Sequence, residues 1–255
     1  MSGMLVGMVG LSTGIRLGVD RLRGLLFPPA CLFCGGGVQH GEDCCAVCFG
    51  HIAVWPREVC GRCGDRLPAA LAPGPCGRCL KKPPFQQATV SLFAYHGPVR
   101  EAILGWKLQG RPEGVRWLVD TAAGRLAELI APQDLLLPVP MPLNRMRKSG
   151  QHHTADLCRM VAAHAGCSWD WRPLRRVGEQ PRQSELSGAA RRRNLRKAFV
   201  VDTDYLAAFG EINGRVWVVD DILTTGTTLA CAAKALKSMK VPVHALSLAR
   251  TPHGG

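Results

Sequence analysis

The chain has 255 residues, 47% of them hydrophobic, enough for one full core and a small module beside it. Its net charge of +13 is unevenly spread: residues 141–200 hold 13 Lys/Arg against 4 Asp/Glu, whereas 86–140 and 201–255 hold five of each sign. The plain reading of such an excess is a solvated basic face, and the functional one is a polyanion, either pyrophosphate or nucleic acid. The apolar N-terminal run is broken at Arg16 and has no basic segment ahead of it. That excludes a bilayer-spanning or secretory reading, and a cytoplasmic protein without an integral membrane segment is expected.

Residues 1–27 are read as an apolar N-terminal helix or a partly disordered segment. Leu17, Leu22, Leu25 and Leu26 fall on one face of a short amphipathic helix, suited to packing or to a partner.

Residues 28–84 form the next module. Of the twelve cysteines, eight make four C-x-x-C pairs: Cys31/Cys34, Cys45/Cys48, Cys60/Cys63 and Cys76/Cys79. One such turn points two thiolates at a tetrahedral ion, and a second completes four sulfur ligands. Gly35, Gly61, Gly64 and Gly77 beside the pairs suit tight knuckles. Two structural zinc ribbons are expected, paired in series or interleaved. A disulfide framework would need an oxidising compartment, and one pair acting in redox chemistry is the other rival. Cys44, His40 and His51 are taken as bystanders, and Cys158, Cys167 and Cys231 as ordinary small buried residues.

Lys81-Lys82-Pro83-Pro84 reads as a linker, with a second domain over 85–255. Thr89–Tyr95 is strand-like, Val99–Leu108 is an amphipathic helix and Gly114–Ile130 a second helix. Leu135-Leu136-Leu137 is a strand that Pro138-Val139-Pro140 ends abruptly in a rigid loop. Asn144, Arg145, Arg147 and Lys148 follow, a reasonable clamp for pyrophosphate. Thr154–Ala165 is helical. This alternation predicts an α/β parallel sheet.

The sharpest signal is the stretch from Val216 to Thr228. Val216-Trp217-Val218-Val219 reads as a strand buried on both faces. It runs into Asp220-Asp221, then Ile222-Leu223, then Thr224-Thr225-Gly226-Thr227-Thr228. A helical pattern follows, with Leu229, Ala232, Ala233, Leu236 and Met239 on one side. Free N–H groups at that helix N-terminus favour an anion. Adjacent carboxylates would repel a lone phosphate, but they accept hydrogen bonds from the diol of a phosphorylated sugar. The plainer alternative is a buried strand and helix cap with two acidic turn residues.

That stretch resembles the ribose-phosphate signature of the type I phosphoribosyltransferases. The order of parts narrows the resemblance to the ComF family: paired zinc knuckles, FAYHGPVREAILGWKLQG, LLLPVPMP, a segment with RQSEL and RRRN, then VWVVDDILTTGTT. These are bacterial proteins linked to natural competence, the uptake of single-stranded DNA. The resemblance implies a type I phosphoribosyltransferase-like parallel sheet flanked by helices, preceded by a small zinc-ribbon module. It implies that Asp220 and Asp221 hold the ribose hydroxyls of phosphoribosyl pyrophosphate (PRPP) and that Thr224, Thr225, Gly226, Thr227 and Thr228 hold its 5′-phosphate. Pro138, Val139 and Pro140 would shape the pyrophosphate loop, with Arg145, Arg147, Lys148 and Arg191 as counter-charges and magnesium bound through substrate oxygens. Two runs depart from the family pattern. Ser149-Gly150-Gln151-His152-His153 keeps only the glycine of Arg-Gly-Phe-Asn-Gln, and Gln180-Pro181-Arg182-Gln183 keeps only the glutamine of Thr-x-x-Gln. Arg191 and Asn194 keep the later Arg-x-x-Asn.

Two function classes follow. As a transferase, the chain would displace pyrophosphate at the anomeric carbon, with Asp220 and Asp221 as the catalytic carboxylates. As a non-catalytic accessory, it would sense PRPP, bind single-stranded DNA, or scaffold a competence helicase or recombination mediator. His152 and His153 are candidate bases, read by preference as exposed loop residues. Trp169 and Trp171 are candidate stacking platforms, read by preference as core.

Overall fold

The computed structural model describes residues 28–68, 74–142, 146–147, 150–177, 198–208 and 212–252. The N-terminal segment 1–27 lies outside them, as do Asn144, Arg145, Lys148, Ser149, Gln183, Arg191 and Asn194.

Contacts divide the chain into two compact units, one ending at His51 and the other beginning at Ile52. The first unit holds an antiparallel bridge between Ala30 and Gly37 and a short helix, α1 (Ala46–His51). The expected 28–84 module therefore contributes its first knuckle to one unit and its second to the other.

The second unit runs α2 (Gly77–Lys81), β1 (Ala88–Ala94), α3 (Gly97–Gln109), α4 (Glu113–Thr121), α5 (Ala123–Leu129), β2 (Leu135–Pro138), α6 (His153–Ala165) and β3 (Ser168–Trp169). It continues with β4 (Leu174–Arg176), β5 (Phe199–Val201), α7 (Thr203–Ala208), β6 (Val216–Leu223), α8 (Thr227–Ala235) and β7 (Val243–Arg250). Five strands form one all-parallel sheet in the order β1-β7-β6-β2-β3. β4 and β5 pair separately and antiparallel. The central strands are apolar on both faces because helices cover both, as the buried run Val216–Val219 requires. One face packs Leu135, Leu137, Val216 and Val218 against Leu174, Phe199, Leu229 and Leu236.

The helix expected over Gly114–Ile130 is two helices. The Ala122 N–H is shared between the carbonyls of Leu118 and Val119, at 3.1 Å each, and Ala122 sits at φ −87°, ψ 2°. That tighter hydrogen bonding turns α5 away from α4.

The expected linker at Lys81–Pro84 lies inside this second unit. The chain before the second knuckle runs along β1: Trp55 N donates to Leu92 O at 2.8 Å and Ala94 N to Ala53 O at 2.8 Å. The buried Trp55 indole donates to Gly64 O at 3.0 Å, and Thr89 Oγ1 donates to Arg62 O at 2.7 Å. The Gly64 position, at φ +69°, admits no side chain, since a Cβ there would lie 2.6 Å from Thr89 O.

Candidate functional site

The chain crosses from β2 through α6 to β3 on one side and from β6 through α8 to β7 on the other. β2 and β6 are neighbours, so the connections diverge at their C-terminal ends. In open parallel sheets, that divergence opens a ligand crevice. Both predicted loops lie there. Pro138 is in register with Val219, and Val139 N donates to Val219 O at 2.8 Å, so the Pro138–Pro140 loop starts beside Asp220. Thr154 Oγ1 donates to Val139 O at 2.7 Å and ties the loop to α6.

The strand extends further than its apolar run. β6 includes Asp220, Asp221, Ile222 and Leu223, so the carboxylates are held on the sheet rather than in a turn. Asp221 N donates to Asp220 Oδ1 at 3.0 Å. Burial, then the neighbouring Asp221 carboxylate, push Asp220 up to about 8, against the pull of Lys107 and Arg176. Asp221 forms an ion pair with Lys107 of α3, Nζ to Oδ2 at 2.5 Å, with side-chain exposures of 29% and 12%.

The threonine loop follows directly. Gly226 caps α8 at φ +74°, a left-handed conformation that favours glycine. Thr225 Oγ1 and Thr227 Oγ1 are 3.0 Å apart. Thr251 N donates to Leu223 O at 3.0 Å, bracing the loop from β7. Thr224 and Thr225 are exposed, while Gly226, Thr227 and Thr228 are half-buried at the helix N-terminus. Of the expected counter-charges, Arg147 is described and exposed. Arg145, Lys148 and Arg191 lie outside the described residues.

The two histidines differ from the exposed loop residues expected. His152 caps α6: its Nδ1 accepts from Ala155 N at 3.2 Å and lies 3.0 Å from Thr154 Oγ1. His153 is 3% exposed, and its ring meets Trp106 edge-on with centroids 4.9 Å apart. Neither of its nitrogens has a partner in hydrogen-bond geometry. Burial lowers its proton affinity; the Trp106 carbonyl and Asp221 act the other way. The tryptophans also differ from expectation. Trp169 is half-buried and Trp171 is 51% exposed, and both line a cleft with Met146, Gly150, His152 and Ala155.

The cysteines group in series. Cys31, Cys34, Cys45 and Cys48 form one cluster and Cys60, Cys63, Cys76 and Cys79 another, with all sulfurs of a cluster within 4.8 Å of one another. The Cys34–Cys45 and Cys63–Cys76 sulfurs are 3.8 and 3.7 Å apart. A zinc–sulfur tetrahedron with bonds of about 2.3 Å has an edge of about 3.8 Å, so both donor sets fit zinc. All twelve cysteines are free thiols, which removes the disulfide framework. Cys44, His40 and His51 belong to neither cluster. Burial would raise Cys31 and Cys60, but backbone N–H donors bring each down to about 6, whereas burial raises Cys48, Cys63 and Cys79 in the same clusters.

The double zinc ribbon domain family matches residues 22–80. The DNA utilization protein YhgH of Salmonella typhimurium is 33% identical over 198 residues, which are 75% of this chain and 83% of that one. The chain belongs to the ComF family. YhgH of Escherichia coli K12 is 30% identical over 219 residues, 83% of this chain and 92% of its own. A further ComF-family relative, competence protein F of Haemophilus influenzae, is 28% identical with the same coverage. Among solved structures, orotate phosphoribosyltransferase from Aeropyrum pernix overlaps 56% of the chain at 21% identity and a TM-score of 0.31. The overlap spans 63% of that enzyme, less than two thirds of its length. Adenine phosphoribosyltransferase from Leishmania tarentolae overlaps 55% of the chain at 14% identity and a TM-score of 0.28. No described helix of this ComF-family chain is long and apolar enough to cross a membrane.

Proposed function

We propose that the chain is a cytoplasmic PRPP-binding protein serving DNA utilization in natural competence. The observation that carries this reading is the continuous path from the Asp220–Asp221 pair on β6 to the threonine loop capping α8, beside the Pro138–Pro140 loop. A ribose 5-phosphate fits that sequence of groups. The loop N–H and hydroxyl donors take the phosphate, the carboxylates accept from the diol, and the β2 loop faces the anomeric substituent. Magnesium would be held mainly by the oxygens of the ligand, since hard cations at such sites take few protein ligands.

Transfer from this site would form a bond from a nucleophilic nitrogen or oxygen of an acceptor to the anomeric carbon as the bond to the pyrophosphate oxygen breaks, through an oxocarbenium-like state, with pyrophosphate leaving and the acceptor's proton passing to solvent. The two carboxylates favour that positive charge, and the cations favour the leaving group. The test is thermal unfolding with and without magnesium–PRPP. A ligand at a hundred times its dissociation constant stabilises the native state by about 2.7 kcal/mol. The shift is expected in the wild type and absent in the Asp220→Ala, Asp221→Ala double variant. No shift in the wild type removes the PRPP reading.

One observation favours a second reading. Trp171 is half-exposed and lines a cleft with Trp169, Met146 and His152, and exposed aromatic faces of this kind stack bases. A relative named for DNA utilization fits a protein that binds single strands or docks a helicase or mediator without turnover. Salt-dependent binding of an oligothymidine that survives the double aspartate substitution and fails in Trp171→Ala would select this reading.

A further inference from the structure

We propose that Lys107 is a two-position counter-ion: it holds Asp221 in the free protein and turns to the pyrophosphate of the ligand when the ribose diol takes Asp221. The inference rests on the PRPP reading and assigns a role to a residue far from both signature loops.

The geometry starts on α3. Trp106 and Lys107 are consecutive there; Trp106 packs against His153 and Lys107 pairs with Asp221. The Lys107 ammonium sits 2.5 Å from Asp221 Oδ2. Lys107 also acts electrostatically on Asp220. The ammonium neutralises Asp221 directly while burial holds a proton on Asp220, so the group is stable without ligand. The pair remains partly exposed, so a ligand reaches it without unfolding the helix. A diol bound to Asp221 competes for the same oxygens. An ammonium on a four-carbon stem then swings rather than being lost, because three rotatable donors and a flexible stem suit a mobile point charge.

A second observation lies one residue from Lys107 on the same helix. His153 is 3% exposed, yet both of its ring nitrogens lack a hydrogen-bond partner. Buried polar groups are almost always satisfied. The His153 ring packs edge-on against Trp106, the residue before Lys107 on α3, with centroids 4.9 Å apart. Trp106 braces the ring from the side. The free protein therefore holds an ion pair at Lys107 and, against the adjacent Trp106, a buried imidazole without a partner in hydrogen-bond geometry. Exchange of that pair for a hydroxylated, phosphorylated ligand completes both.

The test compares two probes on the full chain with magnesium present: ribose 5-phosphate, which has no pyrophosphate, and PRPP. Lys107→Met keeps the apolar stem and removes the charge. The expected result is opposite movement: PRPP binds at least tenfold more weakly, while ribose 5-phosphate binds equally well or more tightly because its competitor for Asp221 is gone. Lys107→Arg, which retains the charge and grips a carboxylate with two donors, is expected to weaken ribose 5-phosphate more than PRPP. A purely structural lysine would move both probes together in Lys107→Met, and that result overturns the proposal, as does unchanged PRPP binding. A wild type that binds neither probe overturns the PRPP reading itself, whereas wild-type binding without divergence in the variants overturns only the role of Lys107.

Discussion

Arg250 Nη1 donates to the carbonyl of Cys63 at 2.6 Å, joining the last residue of β7 to a zinc-knuckle ligand 187 residues away. Arg250 is 2% exposed, pairs with Asp65 at 3.3 Å through Nη2 and lies over the Trp55 ring. Its neighbour Thr251 holds Leu223 O, the last strand residue before the threonine loop. The second knuckle is thus built onto the C-terminal edge of the sheet, one residue from the support of the candidate phosphate loop.

Arg250→Ala removes a buried cation and leaves the Asp65 carboxylate and the Cys63 carbonyl without it. Asp65 keeps Arg78 at 3.0 Å, so the cost is mainly that of the unpaired Cys63 carbonyl, about 1–3 kcal/mol. The expected outcome is a lower urea midpoint with an unchanged slope. A variant as stable as the wild type would show that the guanidinium contributes no net stability.

The two knuckles are expected to differ in what depends on them. Cys60→Ser removes a ligand from the knuckle built onto β1 and β7, and about 3 kcal/mol of lost support corresponds to about 6–12 °C for a unit of this size. Cys31→Ser touches only the unit that ends at His51. Calorimetry on the two variants, with zinc counted by atomic absorption, checks this. Each variant should hold one zinc against two in the wild type, and only Cys60→Ser should shift the main transition.

Gly64→Ala and Gly61→Ala separate backbone fit from mere proximity to zinc. At Gly64 a Cβ would lie 2.6 Å from Thr89 O in a left-handed conformation, whereas at Gly61 nothing lies within 4 Å. Strain of this kind costs of order 1–3 kcal/mol. Thermal unfolding is expected to register that loss for Gly64→Ala and almost none for Gly61→Ala.

Asp220→Asn is expected to stabilise the ligand-free protein in a pH-dependent way. Burial and Asp221 raise the folded-state affinity of Asp220 for its proton to about 8, above the ordinary value of 3.8. The native state therefore binds the proton more tightly than the unfolded state. Wild-type stability from this group is complete below about pH 4 and falls as pH rises toward 8. Asparagine does not titrate, so its advantage is near zero at pH 4, grows through neutrality and levels above pH 8. One pKa unit is worth about 1.4 kcal/mol, the least gain expected at pH 7. Denaturation at pH 5 and pH 8 checks the sign, and an advantage that shrinks with pH would contradict it.

The sequence by itself determined the parts whose chemistry is local. A C-x-x-C turn brings its two sulfurs together within four residues, so both zinc clusters were legible, with only their serial pairing left open. The apolar run from Val216 with the threonines after it is likewise one strand, one loop and one helix start, and the structure keeps them in that order. Pro138 to Pro140 could be read as a rigid loop because proline acts on its own backbone. Tertiary structure alone decided the rest. No local pattern marks Lys107 as the partner of Asp221, because α3 reaches β6 only once the sheet is wound. His153 looked like a loop residue because its polar neighbours in sequence carry no sign that Trp106 will cover it. The anchoring of the second knuckle had no signal in the sequence, because cysteine spacing reports zinc geometry and nothing about Arg250, Trp55 or Thr89. Metal knuckles and phosphate loops are specified by bonds a few residues long, whereas the protonation of Asp220, the pairing of Asp221 and the anchoring of the knuckle come from burial and charge contributed by strands and helices far apart in the chain.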